Sequence, residues 1–573
     1  MDEELRERVE QEAEKHALFN ALKHDSEPDV GAIMGPLMGE NPDFRPHGDE
    51  IPGVVGGVVG KIGQLDREAR RDRLAELDQS LVDELDADDE SDEHTLPELP
   101  NVDEYEPIRL RAAPNPNGPW HLGHARMPAV IGTYCDRYDG EFVVRFDDTD
   151  PETKRPDIDA YDAILDDISY LGFEPDEVLR ASDRVETYYE YARELIEMGE
   201  AYTCDLPAEE FSALKREGEP SPNRDKDPAT VADEFEAMID GEYASGEMVL
   251  RVKTDIEHKN PALRDWVAFR MIDTPHPREE AADYRCWPML DFQSAIDDHL
   301  TEITHIIRGI DLQDSAKRQG FLYDYFDWEY PEVLHWGHVQ IDAYDIDIST
   351  SRIKELIDAG ELDGWDDPRA PTLESIRRRG IRGAAVVESM IGLGMSTTDV
   401  DLAVSSIYAN NRDIVDSEAD RYFLVRDGQR VPVVGDEKPA AGTPPLHPNH
   451  EERGRREIPV DDAVLVEPAD LPEDGERIWL KGYGCVRYED QEFVATGDDI
   501  DAVREEGVDV IHWVPADETV AVAMRTPDGD VTGEAEPAFA ETEVDEVIQF
   551  ERIGFVRVDD HTDDGSVVYY SHD

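Results

Sequence analysis

RAAPNPNGPWHLGH, residues Arg111 to His124, leaves a short apolar run at Ile108 to Ala112 through a stiff Pro/Gly loop and enters a stretch, His121 to Tyr138, whose pattern predicts a helix. A second short apolar run, Phe142 to Phe146, follows it. Strand, loop, helix and strand in that order make the unit of a parallel nucleotide-binding sheet, so the loop falls at a strand's carboxyl end. A helix N-terminus there offers free N–H groups and the positive end of its dipole to a phosphate. His121 and His124 are then placed to stabilise phosphate charge in a transition state, and Gly123 to let a flat base approach the backbone. A His pair at a helix start more often serves as capping or structure. Here the strand and the Pro/Gly loop before it favour the chemical role.

Working outward, residues 1 to about 82 read as helices with a Gly-rich interruption from Pro52 to Gly63 (PGVVGGVVGKIG), and the acidic run Asp83 to Glu93 reads as a linker. From about 155 to 200 the pattern is helical. From about 205 to 285 it changes to short mixed elements around a polar loop, Glu217 to Pro228, as expected of an inserted domain. Asp291 to Gly309 returns to a helix and a short strand that restores the interrupted sheet. Helices dominate after Arg352 until about Val415, and from roughly 420 short alternating segments such as Thr519 to Met524 and Phe555 to Val558 predict all-β barrels or sandwiches.

At 573 residues with 39% apolar content the chain is long enough for several cores. No apolar stretch approaches the ~20 residues of a membrane span, and the charged start is not a secretion signal, so a cytoplasmic protein is expected. Cys135, Cys204, Cys286 and Cys485 lie far apart, against a disulfide framework or a zinc site. Charge is the unusual feature. Against 137 acidic residues stand 56 basic ones, only 12 of them Lys, for a formal net charge of −81 spread over every segment. At ~1 M salt the screening length is roughly 3 Å and such a surface becomes tolerable, so the composition points to a halophilic protein. A nucleic-acid partner is not excluded. In molar salt counterion release contributes little, and recognition leans on shape, hydrogen bonds and locally placed Arg.

The HLGH loop resembles the HIGH signature of class I aminoacyl-tRNA synthetases, and RxxPxPNGxxHxGHA resembles their glutamyl/glutaminyl subgroup. Further matches follow in order: Arg145 to Pro151 (RFDDTDP), Arg264 to Val267 (RDWV), Trp287 to Phe292 (WPMLDF), His447 to Asn449 with Gly454 and Pro459, and Ile511 to Val514 (IHWV). The resemblance covers about residues 100 to 573 and implies a multidomain α/β chain. Residues 1–100 would be a helical extension and acidic linker, with docking to partner proteins a family-like role. Residues 101–204 and 287–345 would be the halves of a Rossmann-type parallel-sheet catalytic domain, split by an acceptor-end-binding domain at 205–286. The signature loop and helical connector would occupy 346–415. The β-barrel anticodon-binding region, 416–573, is similar to that of the archaeal and eukaryotic branch.

Residue by residue, the resemblance implies that Arg111 binds a substrate carboxylate and Asp147 its ammonium, the alternative being a buried Arg–Asp structural pair. Pro114, Asn117, Gly118, His121, Gly123, His124, Gly309 and Asp311 would bind ATP. Arg308, at the end of an apolar strand, separates glutamate from glutamine: a buried γ-carboxylate needs a fixed bidentate cation, which Arg supplies. Leu290, where the glutaminyl branch has Tyr, points the same way. The KMSKS signature departs from pattern as Asp347-Ile348-Ser349-Thr350-Ser351-Arg352, so Ser349, Ser351 and Arg352 would contact the phosphates. The plain alternative is a Ser/Thr loop capping a helix through Ser351 or Thr350. Arg377, Arg378, Arg379 and Arg382, in the densest basic cluster, would touch tRNA unless they form a helix-end solvent face.

The expected reaction is ATP-dependent attachment of L-glutamate to tRNA(Glu), and to tRNA(Gln) in the archaeal manner, through a glutamyl-adenylate, with Mg²⁺ carried by ATP and no protein metal cage, by a monomer. Glutaminyl-tRNA synthetase is the nearest rival. A small-molecule nucleotidylyltransferase would leave the carboxyl-terminal β region unexplained, and a non-catalytic paralogue should have lost the His pair or the substrate Arg.

Overall fold

A computed structural model of the chain describes residues 3–23, 33–34, 37, 44, 51–63, 65, 67–78, 81–82, 96–341, 349–436, 438–497 and 508–573. The acidic run at 83–93 and the signature residues Asp347 and Ile348 lie outside them. The chain divides into two compact units, Met1–Thr95 and Leu96–Asp573.

The first unit contains α1 (Glu3–Lys23), α2 (Ile51–Ile62) and α3 (Arg67–Leu77). The Gly-rich stretch expected to interrupt the helices is itself α2. Ile51, Val55, Val58 and Ile62 recur at helical spacing and are buried in one cluster with Val9, Ala13 and Ala17 of α1. Burial of that stripe outweighs the ~1 kcal/mol each interior glycine costs, and Pro52 sits in the first turn, where its missing N–H has no intrahelical acceptor to lose.

The second unit is organised by a five-stranded parallel sheet of β1 (Arg109–Ala112), β2 (Glu141–Phe146), β3 (Glu177–Arg180), β8 (His305–Gly309) and β9 (Glu332–Trp336), ordered β3-β2-β1-β8-β9. Helix α4 (Arg126–Tyr138) crosses between β1 and β2, and α5 (Ile158–Tyr170) between β2 and β3. The order reverses at β1, so the carboxyl ends of β1 and β8 flank the crevice where ligands of open parallel sheets bind. Leu110, Leu122, Val130, Ile131, Phe146 and Ile307 fill the core beneath it.

After α6 (Val185–Glu197) the chain leaves this sheet for an antiparallel one, β4 (Ala201–Cys204), β5 (Val249–Val252), β6 (Val267–Met271) and β7 (Cys286–Pro288), with α7 (Ala208–Glu217) and α8 (Pro228–Ile239) between its first two strands. This sheet begins and ends a few residues outside 205–286, because β4 pairs along its whole length with β5. Its core is aromatic: Tyr189, Phe235, Phe269 and Phe292 meet edge to face or tilted. Asp265 and Trp266 of RDWV are buried here, Asp265 accepting from Tyr202 Oη and Arg224 Nε, each at 2.9 Å. Their work is structural.

Helix α9 (Leu290–Leu300) and α10 (Gln313–Phe326) flank β8. The connector follows as α11 (Thr350–Asp358), α12 (Leu373–Arg378), α13 (Gly383–Ile391) and α14 (Val404–Val415). Among the described residues the remainder forms a short two-stranded pair, Ala441–Gly442 with Ile458–Pro459, and two seven-stranded sheets around separate apolar clusters. One takes its strands from 429–515. The other combines 421–425 with 520–572, so the first sheet is inserted between the opening and closing segments of the second.

Candidate active site

The crevice at the carboxyl ends of β1 and β8 holds two adjoining cavities of about 350 and 650 Å³. Ala113, His121, His124, Met127, Asp147, Leu290 and Leu312 line both. Arg111, Arg308, Ser294 and Gln319 belong to the smaller one, with Gly123 and Gly309. Pro114, Asn117, Lys154, Asp311, Ser349, Thr350 and Ser351 belong to the larger.

The smaller cavity is built over an ion network. Arg111 donates through Nε and Nη2 to both oxygens of Asp298, at 2.9 and 3.2 Å. Arg145 donates to Asp298 and Asp147, each at 2.7 Å, and to Ser294 Oγ at 2.9 Å. Arg184 and Tyr188 both donate to Asp297 at 2.6 Å. Asp147 also accepts from Gln293 Nε2 at 2.9 Å, which leaves its carboxylate 10% exposed at the cavity wall. Burial opposes ionisation of Asp298, but Arg111 and Arg145 hold it at about 2. Asp297, with less compensation, is pushed up by burial. The structural alternative for Arg111 and Asp147 therefore takes a different form: they are not paired with each other, and each has a partner from elsewhere, Asp298 and Arg145.

Three guanidiniums, Arg111, Arg145 and Arg184, balance three carboxylates, Asp147, Asp297 and Asp298. Arg126 is a fourth cation in this cavity wall, donating to the carbonyls of Gly337 and Gly394, and Arg308 is a fifth. The latter is 6% exposed, and among the described residues no carboxylate lies within 4 Å of it; its Nη2 donates to Gln319 Oε1 and Tyr330 Oη, each at 2.9 Å. Burial lowers its pKa, and the nearby Arg111 adds to the effect. A buried charge left in this state is costly until an anion reaches it.

His121 precedes a short 3₁₀ turn, Leu122–Ala125, that runs into α4, and its ring stacks on that of His124 with centroids 3.7 Å apart. Burial pushes His121 down to about 4 and His124 well below the usual range. Both are neutral at physiological pH, so the site presents them as hydrogen-bonding groups, not as cations. Their Nδ1 atoms are buried without a partner among the described residues. A Cβ on Gly123 would come within 3.2 Å of the His121 ring, so the missing side chain makes room for that imidazole. The loop is fixed from behind. Leu122 N donates to Pro371 O, Leu373 N to Trp120 O, and Trp120 N to a carboxylate oxygen of the buried Asp167 at 3.3 Å.

Gly118 is absent from both cavity linings and contacts the signature helix: a Cβ there would lie 2.5 Å from Thr350 Cγ2. Ser349, not Ser351 or Thr350, caps α11, its Oγ accepting from Arg352 N at 3.2 Å. Arg352 turns to Glu355 at 3.1 Å and does not line the larger cavity. The cation that does, beyond Arg270 paired with Asp150, is Lys154, which has no carboxylate within 4 Å among the described residues. Sequence reasoning passed over Lys154, Asp298, Gln319 and Tyr330. None stands in a motif, and the Arg111–Asp298 contact spans 187 positions.

The basic cluster at 377–382 is not one exposed face. Arg379 is 1% exposed and donates to the carbonyls of Tyr570 and Ser571 and to Tyr408 Oη. Arg378 bridges Asp366 and Asp559, and Arg382 lies 3.6 Å from Glu418. Arg377 lines a cleft between α12 and the last β-sheet, its guanidinium 6.0 Å from the Tyr170 ring.

Among the described residues no His, Cys, Asp and Glu cluster is arranged to hold a metal ion, and no helix is long and apolar enough to cross a membrane.

Comparison with known proteins places these features in a family. Residues 107–417 match the catalytic domain of class I tRNA synthetases (E and Q), and residues 419–504 and 510–559 match two anticodon-binding domain models of the same group. The chain is 69% identical over 572 residues to a glutamate–tRNA ligase of Natronomonas pharaonis, and 67% identical over 585 residues to that of Halobacterium salinarum and over 581 to that of Haloarcula marismortui. In each case the match covers 100% of both chains.

Proposed function

The chain belongs to the class I tRNA synthetases of the glutamate and glutamine group, and from that premise we propose that it is a glutamate–tRNA ligase, which joins L-glutamate to tRNA(Glu) at the expense of ATP. The observation that carries the choice of glutamate is Arg308, a buried guanidinium at the carboxyl end of β8 with only neutral partners among the described residues. A γ-carboxylate completes that environment and a carboxamide does not.

In this reading glutamate occupies the smaller cavity, with its side chain toward Arg308, its α-carboxylate in reach of Arg111 and its ammonium toward Asp147. ATP occupies the larger one. An α-carboxylate oxygen attacks the α-phosphorus, the bond from that phosphorus to the bridging oxygen breaks, and pyrophosphate leaves. The terminal ribose hydroxyl of the tRNA then attacks the adenylate's carbonyl, and AMP departs as the hydroxyl loses its proton. The protein contributes position and charge balance. His121 and His124 donate hydrogen bonds to phosphate oxygens, and an arriving polyanion raises their basicity. Ser349 and Ser351 offer hydroxyls and Lys154 a cation on the phosphate side. Arg352 reaches it only by leaving Glu355. Mg²⁺ enters as part of the MgATP substrate in this reading.

Arg377 and Arg382 are the members of their cluster that can meet a tRNA phosphate. The sheets after residue 420 read the anticodon, the antiparallel sheet of β4–β7 holds the acceptor end, and the enzyme works in the cytoplasm as a monomer. Charging of tRNA(Gln) as well is part of the proposal. So is a requirement for bound tRNA before activation, which full ATP–pyrophosphate exchange without tRNA would overturn.

The deciding test is aminoacylation in about 2 to 3 M KCl, where surface carboxylates are screened, with labelled glutamate or glutamine and separate tRNA(Glu) and tRNA(Gln) transcripts. Glutamate on tRNA(Glu) is expected. Glutamine charging, or none, overturns the reading, and the tRNA(Gln) arm decides the wider specificity.

A further inference from the structure

Buried guanidiniums in this chain take two kinds of partner: Arg111 meets Asp298, Arg145 meets Asp147 and Asp298, and Arg456 meets Glu536, whereas Arg126 and Arg379 donate mainly to backbone carbonyls. With 137 acidic residues available, a carboxylate is the readiest partner the composition offers. Arg308 instead receives an amide and a phenol. Gln319 Oε1 accepts from Arg308 Nη2 at 2.9 Å and from Tyr330 Oη at 2.6 Å, while Tyr330 Oη accepts from the same Nη2 at 2.9 Å. Gln319 is 1% exposed and lines the smaller cavity beside Arg308.

This three-way contact fixes the guanidinium without cancelling its charge. It also leaves donors over, since neither Arg308 Nε nor Gln319 Nε2 has a hydrogen-bond acceptor among the described residues. A ligand group arriving here meets the uncancelled positive charge of Arg308. A carboxylate answers that charge, being an acceptor only, and a neutral carboxamide does not. A glutamate at position 319 would hold the Arg308 rotamer at least as firmly, through a charge-assisted bond, but would neutralise the seat.

Resting on the assignment of Arg308 to the substrate side chain, we propose that Gln319 and Tyr330 are positioning residues that set the enzyme's specificity for a side-chain carboxylate, by orienting Arg308 with neutral groups alone.

The test is tRNA-dependent ATP–pyrophosphate exchange with the full-length enzyme in about 2 to 3 M KCl. Gln319→Glu should raise the KM for glutamate on the order of 10- to 100-fold, leave the KM for ATP unchanged and erode the preference for glutamate over glutamine. A role confined to holding the rotamer predicts an unchanged or lower glutamate KM in this variant, and that result overturns the proposal. Tyr330→Phe, which removes one oxygen, should raise the glutamate KM several-fold with kcat nearly constant. If Gln319→Glu does not fold, an unchanged glutamate KM in Tyr330→Phe overturns the proposal by itself. Arg308→Leu separates the two levels: glutamate KM indifferent to Arg308 removes the underlying assignment, whereas dependence on Arg308 with an inert Gln319→Glu removes only the neutral clamp.

Discussion

A triphosphate in the larger cavity meets Lys154, a cation with no carboxylate partner within 4 Å among the described residues, while Arg352 of the variant signature is engaged with Glu355. Lys154→Ala should therefore slow adenylate formation about 10- to 100-fold, the usual loss when one charge-stabilising group is removed from a phosphoryl-transfer site. Arg352→Ala should cost less, because Arg352 is engaged with Glu355. Single-turnover pyrophosphate release measures both, and a Lys154→Ala enzyme at wild-type rate refutes the assignment. The sequence revealed these residues unevenly, for a physical reason. Arg308 could be singled out because it lies in a stretch that resembles the family's and ends an apolar strand, where a surface Arg is out of place. Whether a site cation is already neutralised depends on a partner brought in by folding. Asp298 reaches Arg111 from 187 residues away, and nothing local to either residue records the contact.

Helix α5 holds the HLGH loop through one carboxylate. Asp167 accepts from Trp120 N, and burial, reinforced by Glu374, raises its pKa to about 8. An unfolded aspartate deprotonates near pH 4. Between about pH 4 and 8 the folded state therefore holds one proton more than the unfolded chain, and this group's contribution to stability falls as pH rises through that window. Asp167→Asn keeps an acceptor for Trp120 N and removes the titration. The stability difference between variant and wild type, from denaturant unfolding at constant salt, should be smallest near pH 4 and shift toward the variant up to pH 8; a pH-independent difference would show Asp167 ionised throughout. Within the connector, Arg379→Ala leaves the Tyr570 and Ser571 carbonyls and Tyr408 Oη short of a donor, and should cost about 2 to 4 kcal/mol in the same assay. Arg377→Ala should be nearly silent in stability and weaken tRNA binding. Elements with a strong period were legible: β1, β2 and β8 fall within a residue or two of their apolar runs. Helix α2 was not, because glycine content argues against a helix locally while its valine stripe finds a buried face on α1.

Over the whole molecule the formal charge of −81 sets the conditions under which any of these parts work. The sign of the salt response follows from a competition between attraction and repulsion. Exposed ion pairs such as Arg193–Glu236 and Arg430–Asp517 lose attraction in salt, but such pairs are worth only about 0 to 1 kcal/mol each. Buried pairs such as Arg456–Glu536 are little screened. Against these stands mutual repulsion among an excess of 137 − 56 = 81 acidic groups, which grows as the screening length lengthens from roughly 3 Å at 1 M to about 8 Å at 0.15 M. Repulsion outweighs the lost attraction, so the apparent melting midpoint should rise by at least about 10 °C between 0.15 and 2 M KCl, with each kcal/mol worth about 2 to 4 °C in domains of this size. Sodium chloride should act equally at matched ionic strength if screening is the cause, and sulfate should add a further increment through exclusion from the surface. The two sheets after residue 420 should melt together, because strands at 421–425 and 520–572 close one sheet around the insertion of the other. A midpoint flat in KCl would mean that the surface carboxylates are already neutralised by bound ions at low salt, and tightly bound cations would then replace screening as the basis of the protein's stability.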